Sequence, residues 1–203
     1  AAEHFGISVR YVHKLFEPSG TTFNQLLLDR RLQRCFEDLA RTTPRRKIVS
    51  VAKGYHGHTG LALAAGDERF SRMFLSEGPP GEFVQVPWND LEAMAAALSG
   101  DDVAGVVLET IPATLGFPQP APGYLARVKT LCTQRGALYI ADEVQTGLGR
   151  TGTLWAIEQF DVEPDILVTG KGLSGGLYPI AATVLSSRVA GWLDEDGWGH
   201  VST

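Results

Sequence analysis

Lys171 stands in Thr169-Gly170-Lys171-Gly172, just past the apolar run Ile166-Leu167-Val168, and Asp142 follows the run Leu138-Tyr139-Ile140-Ala141. An amine and a carboxylate, each set where a buried strand gives way to a loop, fall at the carboxyl edge of a parallel sheet, where open α/β folds bind ligands. The chemistry this pair suits is that of pyridoxal 5'-phosphate. The lysine would hold the cofactor as a Schiff base, and the aspartate would keep the ring nitrogen protonated so that the ring can take up electrons. Lys171, once released, must be neutral to carry a proton between carbons, so a dry pocket is expected around it. Glycines at 170 and 172 would let the backbone approach the cofactor, and the aromatic ring of Tyr55 offers a flat surface for it.

The elements that must position these residues follow from apolar patterning. Strands are expected over Ile48–Val51, ending at Gly54, and over Val103–Leu108, Leu138–Ala141, Ile166–Val168 and Ile180–Leu185. The last is expected antiparallel, because only a short Gly-rich turn precedes it. Helical spacing runs over Asp90–Leu98, with Leu91, Met94, Ala95 and Leu98 on one face, and over Tyr124–Arg135. Prolines at 112, 118, 120 and 122 make the stretch after Glu109 a long loop. Four consecutive strand ends then deliver Tyr55-His56-Gly57-His58, Glu109, Asp142 with Gln145, and Lys171 to one edge. The fold expected is α/β, a mainly parallel sheet with helices on both faces.

Plainer readings exist for each residue. Lys171 would be a solvated loop residue past a strand, Asp142 a helix cap or turn former, and Tyr55 core. His56 and His58, two apart with no third ligand, do not make a metal site. Gly147-Leu148-Gly149-Arg150-Thr151-Gly152 fits a dinucleotide pattern, but five residues separate it from its strand and no acid stands about twenty residues on, so nicotinamide is set aside.

Composition narrows the classes further. With 203 residues, 44% of them hydrophobic, the chain can bury a core, and its longest apolar runs fall well short of the roughly 20 residues that span a bilayer. No membrane partner is expected, and Cys35 and Cys132, far apart in helical segments, suit a reducing cytoplasm. Charge is divided unevenly. Residues 1–46 carry 8 Lys and Arg against 5 Asp and Glu, a net of +3, which leaves −8 on the remainder.

From about residue 39 onward the chain resembles the class III aminotransferases of pyridoxal phosphate fold type I. The carrying motifs are Lys47-Ile48-Val49 through Gly54-Tyr55-His56-Gly57-His58-Thr59-Gly60, Ala141-Asp142-Glu143-Val144-Gln145-Thr146-Gly147 with Gly149-Arg150-Thr151-Gly152, and Pro164-Asp165-Ile166 through Lys171-Gly172. The resemblance implies transfer of an amino group from an amine or amino acid to a keto acid, with Lys171 and Asp142 catalytic. Tyr55, His56, Val144 and Gln145 would join them around the cofactor: Tyr55 stacked on one ring face, Val144 pressed on the other, Gln145 at the ring hydroxyl. Thr203 would reach the cofactor phosphate of a partner subunit, which implies a homodimer with shared sites. Glu109 would face the substrate side. The text after Glu109 lacks the family's Gly-rich run, and Asp29-Arg30-Arg31 stands where a phosphate-binding turn belongs. Residues 41–203 therefore read as a cofactor-binding domain incomplete at both ends, with weak cofactor binding and impaired transamination expected.

Residues 1–40 read differently. Ser8 caps a short helix whose apolar face is Val9, Val12, Leu15 and Phe16, with Arg10, His13 and Lys14 opposite; a longer helix follows from about Thr22 to Leu39. The segment resembles the first helix-turn-helix of AraC-type transcription regulators, on Ala2-Glu3-His4-Phe5-Gly6-Ile7-Ser8, Tyr11, Leu15-Phe16, Gly20 and Arg30-Arg31-Leu32. That resemblance implies DNA contact through residues 8–16, with Arg10, His13 and Lys14 on bases or phosphates. A regulator fragment joined to an enzyme fragment suggests a fused gene, and DNA binding is the alternative function.

Overall fold

The computed structural model describes residues 45–58, 60–70 and 81–195. Arg10, His13, Lys14 and the helix-turn-helix reading lie outside the described residues, as does Thr203. In chain order the elements are β1 (Lys47–Val51), α1 (Gly60–Ala65), β2 (Phe83–Val86), α2 (Leu91–Ala97), β3 (Val103–Glu109), α3 (Tyr124–Arg135), β4 (Leu138–Asp142), β5 (Ile166–Thr169), β6 (Ala182–Leu185) and α4 (Ser187–Glu195). Two single 3₁₀ turns, Ala156–Phe160 and Lys171–Ser174, flank β5.

The strands form one sheet in the order β2-β1-β3-β4-β5-β6. Pairing is parallel throughout except for β6, which runs antiparallel to β5 from Ile166↔Leu185 to Thr169↔Ala182. All seven residues of β3 and all five of β4 are buried, as expected of central parallel strands covered on both faces. Alternate residues go to opposite layers. Val49, Val51, Tyr139, Ala141 and Leu167 pack with Met94, Leu98, Leu125 and Val128 of the α2–α3 side. Ile48, Leu138, Ile140, Ile166 and Val168 pack with Ala65 and Val189 of α1 and α4.

The expected strands and the two expected helices form. Asp90 caps α2 by accepting the Ala93 N–H at 2.8 Å, and Gly136 in the left-handed region closes α3. Cys132 on α3 is wholly buried, and burial pushes its thiol up to about 12, which makes it inert. The last strand is shorter than expected and starts at Ala182 rather than Ile180, because β5 offers no partner beyond Thr169. β2, α1 and α4 were not expected. β2 and α1 are too short to show a period, whereas α4 is amphipathic and was simply missed.

Asp165 ties the layers together at the foot of β5. Its Oδ2 accepts the Tyr139 N–H at 2.8 Å and Lys129 Nζ at 2.7 Å, and its Oδ1 accepts Arg188 Nη2 at 2.7 Å. Burial pushes this carboxyl upward, but the hydrogen bonds from Lys129, Tyr139 and Arg188 outweigh it, so the pKa falls below the ordinary 3.8. A depressed carboxylate contributes stability that is complete above about 3.8 and is lost as pH falls through the folded-state value. Asp165→Ala should cost about 3 kcal/mol, at the low end for a broken buried pair because Arg188 is half exposed. Urea unfolding at neutral pH measures that loss. Repeated below pH 3, the gap between wild type and variant should narrow.

Candidate active site

The strand order reverses between β1 and β3, so the segments leaving these two strands diverge and open a crevice at their carboxyl ends. β1 ends in a turn closed by the Gly54 N–H to Val51 O at 2.9 Å, and the chain then crosses toward β3. Gly54 is required here, since a Cβ would meet Val51 O at 3.0 Å. Tyr55 N–H donates to Glu109 Oε1 at 2.9 Å, and Ala113 N–H donates to Glu109 Oε2 at 3.0 Å. One carboxylate thus fastens the segments that leave both strands.

Glu109 and Asp142 end their strands in register with each other, which sets two carboxylates side by side. His56 lies against them. Its Nδ1 is 2.8 Å from Asp142 Oδ2, and both side chains are buried. The other oxygen of Asp142 accepts the Val144 N–H at 3.1 Å. Burial disfavours charge on His56, but the hydrogen bond it donates to Asp142 and the charges of Asp142 and Glu109 outweigh it, and the pKa is raised above the ordinary 6.5. The stability this contributes is complete below about 6.5 and is lost as pH rises through the folded-state value. Glu109 moves the other way relative to a paired acid. Burial pushes its carboxyl up, and the charge of His56 and the two N–H donors offset that only in part.

Tyr55 is half-buried, its ring edge-on to His58 at 4.9 Å and to Phe70 at 5.7 Å. On the far side of Asp142, Val144 Cγ1 lies 3.5 Å from where a Cβ on Gly170 would stand, so the β4 and β5 ends are in van der Waals contact there. Lys171 follows with φ of 40°, a left-handed conformation that costs a non-glycine residue on the order of 1–3 kcal/mol. Its Nζ donates to Gln145 Oε1. The dry pocket expected around Lys171 is not formed by the described residues: Lys171 is exposed, as are Leu177, Tyr178 and Ile180 beyond it. The physical reason is that β6 is an edge strand, with no element among the described residues outside it.

Sequence reasoning brought Tyr55, His56, Glu109, Asp142, Val144, Gln145 and Lys171 to one edge, and the structure places them there. Two residues escaped it. Phe70 backs Tyr55 from a segment with no motif. Glu143, wholly buried, accepts from Thr110 Oγ1 and Ile157 N–H on one oxygen, at 2.6 and 2.8 Å, and from Thr146 Oγ1 and Ala156 N–H on the other, at 2.6 and 3.1 Å. It holds the floor under Asp142. Only its place just past a buried strand could have marked it.

The class-III aminotransferase family matches residues 29–203. The chain belongs to that family. The match begins at residue 29, ahead of the start near residue 39 expected from the sequence. An aminotransferase of Archaeoglobus fulgidus is 52% identical over 161 residues, which are 79% of this chain and 37% of that protein. Among solved structures, the ornithine aminotransferase of Toxoplasma gondii superposes with a TM-score of 0.71 at 32% identity, over 84% of this chain and 41% of that one. That crystal held pyridoxal phosphate at partial occupancy in its active site. An S-selective transaminase from an Arthrobacter species gives a TM-score of 0.74 at 26% identity, over 86% of this chain and 44% of that one. The class-III chain thus spans less than half the length of each of these three.

Replacing Glu143 with Gln turns one of its acceptor oxygens into a donor that faces two donors. Glu143→Gln should lower stability by about 1–3 kcal/mol, the cost of an unsatisfied buried group. A urea titration followed by tryptophan fluorescence checks it through nearby Trp155.

Proposed function

We propose that this chain binds pyridoxal 5'-phosphate at the carboxyl edge of the sheet and takes part in transamination between an amino donor and a keto acid. The observation that carries this is the convergence of Lys171, Gln145 and Asp142, an amine, an amide oxygen and a buried carboxylate, on adjoining strand ends. The donor set suits the group: a carboxylate for a ring nitrogen, an amide for a phenolic oxygen and an amine for an aldehyde. When bound, the cofactor supplies an electron sink for a carbanion.

The chain's own residues would do the rest. Asp142, held by the Val144 N–H and by His56, presents a fixed negative charge to the ring nitrogen. Tyr55, backed by His58 and Phe70, offers one flat face, and Val144 the opposite one. Lys171, whose backbone is left-handed, would supply the amine for the cofactor aldehyde and, once free, would carry a proton. Gln145, the present acceptor of Lys171 Nζ, is placed to orient it. A second subunit would cover the exposed stretch beyond Lys171, with Thr203 reaching the partner's phosphate, and residues 41–203 would act as the cofactor-binding domain. No described helix is long and apolar enough to cross a membrane.

A second reading of residues 1–40, DNA contact through Arg10, His13 and Lys14, rests on the resemblance of that segment to a helix-turn-helix alone. Retention of the full chain on duplex DNA should fall steeply with added salt and weaken when Arg10 and Lys14 are replaced by alanine. Equal retention of wild type and variant removes this reading.

The cofactor reading is tested by absorbance. Wild type mixed with pyridoxal phosphate should show a visible band that borohydride abolishes while fixing the cofactor to the protein, and Lys171→Ala should show neither. Fixation that persists in the variant would reassign the lysine.

A further inference from the structure

Both oxygens of Glu109 already hold backbone N–H groups, which leaves them ill placed for a substrate. We propose that Glu109 is a positioning residue that does not touch substrate: its carboxylate fastens the segment carrying Tyr55 and His56 and, through a protonated His56, fixes the charge and direction of Asp142. The proposal rests on the reading above in one respect, that Asp142 serves the cofactor ring.

Geometry carries the first half. Glu109 is 6% exposed, and its two N–H partners come from the segments that leave β1 and β3. With one N–H on each oxygen, the carboxylate ties the two segments to each other.

The second half follows from two carboxylates ending adjacent strands in register. Like charges set opposite each other across a strand pair repel, and burial sharpens the repulsion. A cation near both offsets that repulsion, and His56 is the base that lies beside Asp142 and close to Glu109 across Gly54. Its Nδ1 holds Asp142 Oδ2 at 2.8 Å. Its Nε2 and Glu109 Oε1 converge over Gly54, where a Cβ would lie 3.5 Å from the first and 3.7 Å from the second. The remaining titratable groups nearby are occupied elsewhere. Glu143 of the adjoining turn is filled by four donors, and Tyr55 and His58 face each other. With His56 protonated, the three groups carry one net negative charge, directed at the crevice through Asp142.

The test is nuclear magnetic resonance of the full chain, labelled with ¹⁵N at histidine, titrated with pH in the absence of cofactor. Wild-type His56 should keep its second proton past the ordinary histidine midpoint, and Glu109→Gln should weaken its proton affinity by roughly tenfold. A role confined to fastening the loop would lower the urea midpoint and leave the His56 titration in place, which overturns the proposal. Should Glu109→Gln not fold, the ¹³C carboxyl resonance of Glu109 in wild type decides. A step at the pH where His56 titrates supports the coupling, and a flat line there overturns it. The cofactor reading stands or falls separately on the Lys171 absorbance. Coupling without a reducible band leaves Glu109 as proposed and removes the cofactor; a band without coupling does the reverse.

Discussion

A carboxylate cannot be buried without donors, and the carboxyl edge of this sheet is organised by meeting that demand. Glu109, Asp142 and Glu143 stand at or just past the ends of two neighbouring strands, all buried. Their donors come mainly from backbone N–H groups in the segments beyond: Tyr55 and Ala113 for the first, Val144 for the second, Ala156 and Ile157 for the third. Irregular segments that have no ladder of their own are thereby given defined paths. The crevice is shaped by acids holding loops, and the same acids supply its charge.

That origin explains the uneven electrostatics. Glu143 has four donors and serves as a fixed support. Asp142 has one N–H and an imidazole, so its charge stays directed outward. Asp165, at the opposite end of β5, draws on Lys129 and Arg188, and its ionisation favours the folded state. Strain sits where the chemistry is proposed. Lys171 takes a left-handed conformation while the glycine before it is extended, so the amine sits on a turn that a side chain does not favour.

Much of the sheet was legible in the sequence because β3, β4 and β5 are short apolar runs between polar loops, and because a buried parallel strand must leave polar residues at its carboxyl end. Asp142 and Lys171 stood out for that reason. β2 and α1, four and six residues long, have no room to display a period, and α1 opens on glycine and is half alanine. The partners of Glu143 were hidden for a different reason. Two are backbone N–H groups thirteen and fourteen residues onward, and no side-chain pattern encodes a backbone donor. The exposure of Lys171 fits its plainer reading as a loop residue; the dry pocket was misjudged because it depends on what lies beside β6 rather than on any residue near the lysine.

The strand order has a consequence for synthesis. Each parallel pairing needs a crossover, and β5 with β6 is the one pair in this sheet that neighbouring strands can form as a hairpin. On a ribosome, β1 emerges early, yet its inner neighbour β3 follows only after α1, β2 and α2 have been made. The edge of β1 that β3 takes stays unpaired through that interval, which is a condition under which nascent chains meet chaperones or one another.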